Sequence, residues 1–129
     1  MQLNLALQSA MMLLRERVNR GWPVEGKAAD DVMVPGQVFM DSGWGDYADL
    51  VYGLCSEFGV RWKAIKGYGF GQGAGFSSTA YNAPKGTGAQ VKLIGSGWHL
   101  VELDGLGYQL IHIDANYWKS RLQTAIVSD

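Results

Sequence analysis

Apolar residues recur every three or four positions at the start of the chain: Leu3, Leu7, Met11, Leu14 and Val18. That spacing predicts an amphipathic helix running to about Asn19, with a stop signal in Arg20, Gly21 and Pro23. A polar linker over residues 25–31 leads to a short apolar segment, residues 37–41, read as a buried strand that ends on Asp41. Helical spacing returns over residues 46–58 with Tyr47, Leu50, Val51, Leu54 and Phe58 on one face, and Gly59 ends it. Asp46 and Asp49 fall in its first turn, where acidic side chains complement the helix dipole without any catalysis. A strand over residues 61–66 follows at once.

Strand, helix and strand within roughly thirty residues make a βαβ unit with parallel strands and a right-handed crossover. Parallel strands end on the same edge of the sheet, and in open α/β sheets that carboxyl-end rim is where ligands bind. Asp41 and Lys66 are therefore expected on one rim, facing one site. The alternative for Asp41 is a turn cap, since Gly43 and Gly45 follow it directly.

Downstream, residues 67–90 read as a flexible glycine-rich loop, opening with Gly67-Tyr68-Gly69-Phe70-Gly71-Gln72-Gly73-Ala74-Gly75. Such a backbone can approach a ligand closely. No Gly-Lys-Ser/Thr closes the run as in a Walker A loop, and the stretch after it contains Pro84 where a dinucleotide site needs a helix. Residues 91–94 form a short candidate strand. Residues 98–104 and 108–113 flank Gly105-Leu106-Gly107 and predict a hairpin with His99 opposite His112. A metal site there lacks a third ligand at obvious spacing, so neutral, hydrogen-bonded histidines are the commoner outcome. Asp114 opens a last helix as its N-cap, with Trp118, Leu122, Ala125 and Ile126 on the apolar face. Ser42 is not in a Gly-x-Ser-x-Gly context, which argues against a serine nucleophile.

Composition adds three constraints. A chain of 129 residues fits one domain with an ordinary apolar core. The single cysteine, Cys55, reads as a small apolar helix residue, and residues 1–14 lack the basic start and cleavage site of a signal peptide. No run approaches the roughly 20 apolar residues of a membrane span, so a cytoplasmic protein is expected. The third constraint is charge. Residues 58–101 contain no Asp or Glu, but hold Arg61, Lys63, Lys66, Lys85 and Lys92 among many aromatic residues and glycines. This pattern suits contact with a phosphate backbone, or simply a solvated surface.

Four segments together resemble a known family. Phe39-Met40-Asp41-Ser42-Gly43 is followed by a helix carrying Val51-Tyr52, then by Trp62-Lys63-Ala64-Ile65-Lys66-Gly67-Tyr68-Gly69. Ile111-His112-Ile113-Asp114-Ala115-Asn116-Tyr117-Trp118-Lys119 comes later, in the same order. This arrangement, over residues 37–126, is similar to the nuclease domain of GpA-type phage terminase large subunits. The resemblance implies an RNase H-like α/β fold, here incomplete, with a βαβ core and a C-terminal hairpin and helix. It implies cutting of concatemeric double-stranded viral DNA during genome packaging, in a host cytoplasm. The chemistry would be hydrolysis with two Mg²⁺ or Mn²⁺ ions held about 3.5–4 Å apart by several carboxylates. Asp41 would be a catalytic metal ligand, and Lys63, Lys66, Gly67, Lys85 and Lys92 would contact DNA.

The family also has an acidic residue on an earlier strand, a later acidic helix and a packaging ATPase domain, none of them in this sequence. The resemblance therefore implies part of a larger enzyme, inactive in isolation and binding metal weakly, whose partners are the remaining terminase segments. Two other classes fit the same residues: a non-catalytic nucleic-acid-binding module, and a structural or assembly domain of a phage particle.

Overall fold

The computed structural model describes residues 2–43, 45–69, 81–103 and 107–128. Among these, three helices and a five-stranded mixed sheet form an α/β architecture, with a separate two-stranded ribbon. Helix α1 spans Gln2–Arg20, and the ribbon follows as β1 (Trp22–Pro23) and β2 (Val32–Met33). Strand β3 (Val38–Asp41), a single 3₁₀ turn (Gly45–Tyr47), helix α2 (Ala48–Phe58) and strand β4 (Trp62–Tyr68) make the βαβ unit. Strands β5 (Val91–Gly95), β6 (Trp98–Glu102) and β7 (Gln109–Asp114) lead into helix α3 (Ala115–Val127).

The sheet order is β3-β4-β7-β6-β5. β3, β4 and β7 run parallel, while β6 and β5 complete an antiparallel meander on the far side. The expected βαβ unit and hairpin are both present, with His99 paired to His112. β7 is inserted beside β4, so the last strand of the chain is also the central one.

Register divides the sheet into two faces. Val38, Met40, Trp62, Ala64, Leu110 and Val101 lie on the face covered by α1 and α2. Met11 and Val18 of α1 and Val51, Leu54 and Cys55 of α2 complete that core. Phe58 meets Trp62 edge-on with ring centroids 5.1 Å apart, closing the amino end of the layer. The first helix thus buries only part of its predicted stripe, leaving Leu3 and Leu14 exposed. Its C-terminal end is held by Arg17, which donates to Gly21 O at 2.7 Å and covers the Trp22 ring at 4.1 Å. Arg61 joins the same end to the sheet, donating to Asn19 Oδ1 and to Pro35 O.

The opposite face carries Phe39, Ile65, Ile111, Ile113 and Trp98, and among the described residues Trp118 of α3 leans over them. These six residues line an open apolar trough of about 390 Å³. Parallel strands are ordinarily covered on both faces, and here Phe39 remains more than half exposed. α3 buries none of its residues, so Leu122 and Ile126 on its predicted apolar face point to solvent. It is fixed at its start instead. Asp114 Oδ1 accepts from Tyr117 N at 3.1 Å, the expected N-cap, and Trp118 Nε1 donates to Gly97 O. Gly97 has φ 70°, and a Cβ there would run into the Tyr117 ring, so glycine is required on both counts.

Three expectations need correction. The linker at residues 25–31 is the connection of the ribbon, because Trp22 and Pro23 pair with Met33 and Val32. The second α-helix starts at Ala48, with Asp46 in the preceding 3₁₀ turn, and its N-cap position, Tyr47, makes no side-chain capping bond. Gly67 is not loop: β4 continues through Tyr68 because β7 supplies partners for both, Ile113 and Asp114. Most of the predicted glycine-rich loop, residues 70–80, lies outside the described residues, as does the hairpin tip at residues 104–106.

Candidate functional site

Asp41 is the last residue of β3 and stands at the carboxyl rim, as its position in the βαβ unit predicts. Its side chain is exposed, and Oδ1 accepts from Gly43 N at 3.0 Å in a tight turn. The turn-cap reading and a ligand role are therefore compatible, since a carboxylate has further lone pairs to offer. Ser42 locks the strand end. It is almost fully buried, and both its N and its Oγ donate to Ile65 O, at 2.9 and 2.8 Å. These two hydrogen bonds to β4 fix where β3 stops. Replacing Ser42 with alanine removes the Oγ bond but leaves the carbonyl its backbone donor, so a loss of about 0.5–1.5 kcal/mol is expected by urea unfolding.

Lys66 reaches the same rim on the other side of the sheet. Asp41 pairs with Ile65, which pairs with Ile111, so Asp41 shares the open face with the apolar trough. Lys66, one residue on, pairs with His112 and lies on the helix-covered face. The two are rim neighbours separated by the sheet and do not face one site. The other predicted DNA contacts are also dispersed. Lys63 lines a cleft of about 250 Å³ at the amino end of β4, together with Cys55, Gly59 and Gln109. Lys92 lies on β5, the far edge of the sheet, and Lys85 on the stretch leading to it. Gly67 is on the open face in register with Ile113, and a Cβ there would make ordinary contact with Ala115 and Ile113.

A cluster of rings sits beside Lys66. In register across three strands lie Lys66, His112 and His99. The two imidazoles stack with centroids 4.8 Å apart and planes 10° apart. Tyr68 stacks on His112 at 5.3 Å, and Tyr81 Oη is hydrogen-bonded to His99 Nδ1 at 2.8 Å. Burial, the adjacent His99 and the Lys66 ammonium hold the His112 imidazolium down at about pKa 4. Burial lowers His99 as well. Both rings are accordingly neutral at pH 7, as expected for histidines serving structure. Sequence reasoning paired them correctly but missed Tyr68 and Tyr81, which complete the cluster. It also missed Asn116, whose buried Nδ2 donor at the start of α3 has no hydrogen-bond partner among the described residues.

Asp41 and Asp114 end parallel strands on this rim with β4 between them, but Asp114 is taken up as the α3 N-cap. Among the described residues, no three His, Cys, Asp or Glu side chains are grouped to hold a metal ion. Cys55 offers no nucleophile either, since burial pushes its thiol up to about 11. Among the described residues no helix is long and apolar enough to cross a membrane. No family model, curated protein or solved structure matches the chain. Among the described residues the arrangement is thus one exposed carboxylate on an edge strand beside an open apolar trough.

Proposed function

We propose that this chain is part of the nuclease domain of a phage terminase large subunit of the GpA type, with an RNase H-like fold. The observation that supports this most is Asp41 at the carboxyl end of β3, parallel to β4 and locked to it by Ser42. A metal-dependent nuclease needs its carboxylates held in this way, at a strand end open to solvent. The motif order, with Asp41-Ser42-Gly43 followed by the Val51-Tyr52 helix and the Ile65-Lys66-Gly67 strand, supports the same reading.

One carboxylate does not fit a two-ion centre, because each ion would exchange its hydration for too few ligands. Asp41 serves as one ligand, and the remaining acids come from other terminase segments. β3 is an edge strand with no described neighbour on its outer side, next to the open trough. An additional strand carrying an acid adds there. The substrate is double-stranded DNA, and Asp41 together with those segments would hold Mg²⁺ or Mn²⁺, whose chemistry there would be activation of water and charge stabilisation at the scissile phosphate.

The chain by itself is expected to leave supercoiled plasmid largely intact in Mg²⁺ or Mn²⁺. Robust cutting that disappears in Asp41→Asn would keep the nuclease assignment and overturn the single-carboxylate view. The acid-free stretch over residues 58–101 also favours a second reading, a binding module without catalysis. Salt-sensitive DNA binding unchanged by metal or by Asp41→Asn would favour that module instead.

A further inference from the structure

Tyr68, His112 and His99 make a column of three stacked rings that crosses from β4 over β7 to β6. One end is fastened by the hydrogen bond between His99 and Tyr81. The other end, Tyr68, stands beyond the reach of β3, with the Tyr81 ring tilted against it at 6.5 Å. That strand stops at Asp41, level with Ile65, whereas β4 runs three residues further through Lys66, Gly67 and Tyr68. No described strand flanks Tyr68 on its β3 side. Lys66 is exposed and holds its ammonium 5.5 Å from the centroid of the Tyr68 ring.

A ring backed by His112, with the Lys66 ammonium over it, matches the two halves of a nucleotide once the ammonium swings from the ring to a phosphate. The base stacks on the ring, and the phosphate takes the ammonium, which is only loosely engaged by the ring. Residues 58–101 carry no acid, and the carboxylate in register with Tyr68, Asp114, is engaged with Tyr117 N at the start of α3. Bases within a duplex are stacked on one another and present edges and phosphates, not free faces. The ligand that fits is an unpaired nucleotide.

We propose that Tyr68 and Lys66 form a stacking subsite for one unpaired base and its phosphate in single-stranded nucleic acid. The subsite lies on the face of the sheet opposite Asp41, so it stands or falls separately from the nuclease reading.

The test uses the full chain in EDTA, with a short fluorescein-labelled oligothymidine and a blunt duplex of equal length, followed by anisotropy. Tyr68→Leu is expected to weaken single-strand binding by about ten- to a hundred-fold and to leave duplex binding unchanged. Tyr68→Phe retains the stacking face and is expected to bind within about two-fold of the parent. Lys66→Gln is expected to lower the single-strand salt slope by roughly 0.7, the value for one phosphate contact. A single 2-aminopurine in the oligothymidine is expected to lose fluorescence on binding the parent protein, a direct sign of stacking that needs no variant. Single-strand affinity unaltered in a folded Tyr68→Leu, an equal loss of duplex binding, or unquenched 2-aminopurine would each overturn the proposal. So would a loss of single-strand binding in Asp41→Asn.

Discussion

Replacing Trp62 with alanine is expected to cost about 3–5 kcal/mol, the largest single effect on stability in this chain. Trp62 is the first residue of β4 and almost fully buried, in register with Val38 and edge-on to Phe58. Its indole is the piece shared by the strand pair and the α2 end, so truncation leaves a cavity that no neighbour can fill without moving the helix. A small domain holds only about 5–15 kcal/mol in total, so a variant this costly sits near its unfolding threshold at room temperature. Urea unfolding followed by tryptophan fluorescence measures the loss, and Trp62→Phe, which keeps an aromatic ring against Phe58, should recover most of it. A loss under 1 kcal/mol would mean that the α2 layer does not depend on this contact.

Stability is also expected to fall as the pH drops from about 6.5 to about 4, because of His112. Above that window the imidazole is neutral in folded and unfolded chains alike, and it contributes no pH dependence. Inside it, the unfolded chain binds a proton that the native state refuses, since burial, His99 and Lys66 all oppose the imidazolium. Below about pH 4 the folded protein takes the proton too, and the dependence on this group ends. Discounted for partial solvent screening, the loss across the window is about 1–3 kcal/mol. His112→Gln is expected to flatten this part of the pH profile. NMR titration of the His112 ring proton supplies the second check: a midpoint near 6.5 in the folded protein would contradict the stacked, buried arrangement.

The elements that could be read from sequence were those with enough residues to show a period. The α1 and α2 stripes, the parallel pair around α2, and the opposition of His99 and His112 all follow from spacing and from short connections. The ribbon at Trp22–Pro23 and Val32–Met33 has two residues per strand, too few for any alternation, and Trp22 is held from outside by Arg17. Gly67 and Tyr68 looked like loop because glycine is a poor strand former, but β7 overrides that local preference by pairing with both. Sheet order was hidden for a related reason. Nothing in residues 109–114 signals that they run beside β4, with the antiparallel strands outside.

The site was legible to the same depth. Position in a βαβ unit brings Asp41 and Lys66 to one rim, but which face each side chain takes depends on register. A shift of one residue would exchange the faces, and crossover length does not encode that parity. The observed register pairs Asp41 with Ile65 and leaves Lys66 with the histidines. A single reading of the rim as one site thus becomes two: a carboxylate beside an open trough, and a cation beside a column of rings.

The role of Asp41 as a metal ligand is tested most directly by Mn²⁺ added to the ¹⁵N-labelled chain, with paramagnetic broadening followed residue by residue. The amides of Asp41, Ser42, Gly43 and Ile65 are expected to broaden first, ahead of those at other exposed acids such as Asp46 and Asp49. In Asp41→Asn that selective broadening should vanish while the rest of the spectrum is unchanged. Broadening that persists in Asp41→Asn, or that centres on His99 and His112, would contradict the assignment of this carboxylate to a nuclease centre.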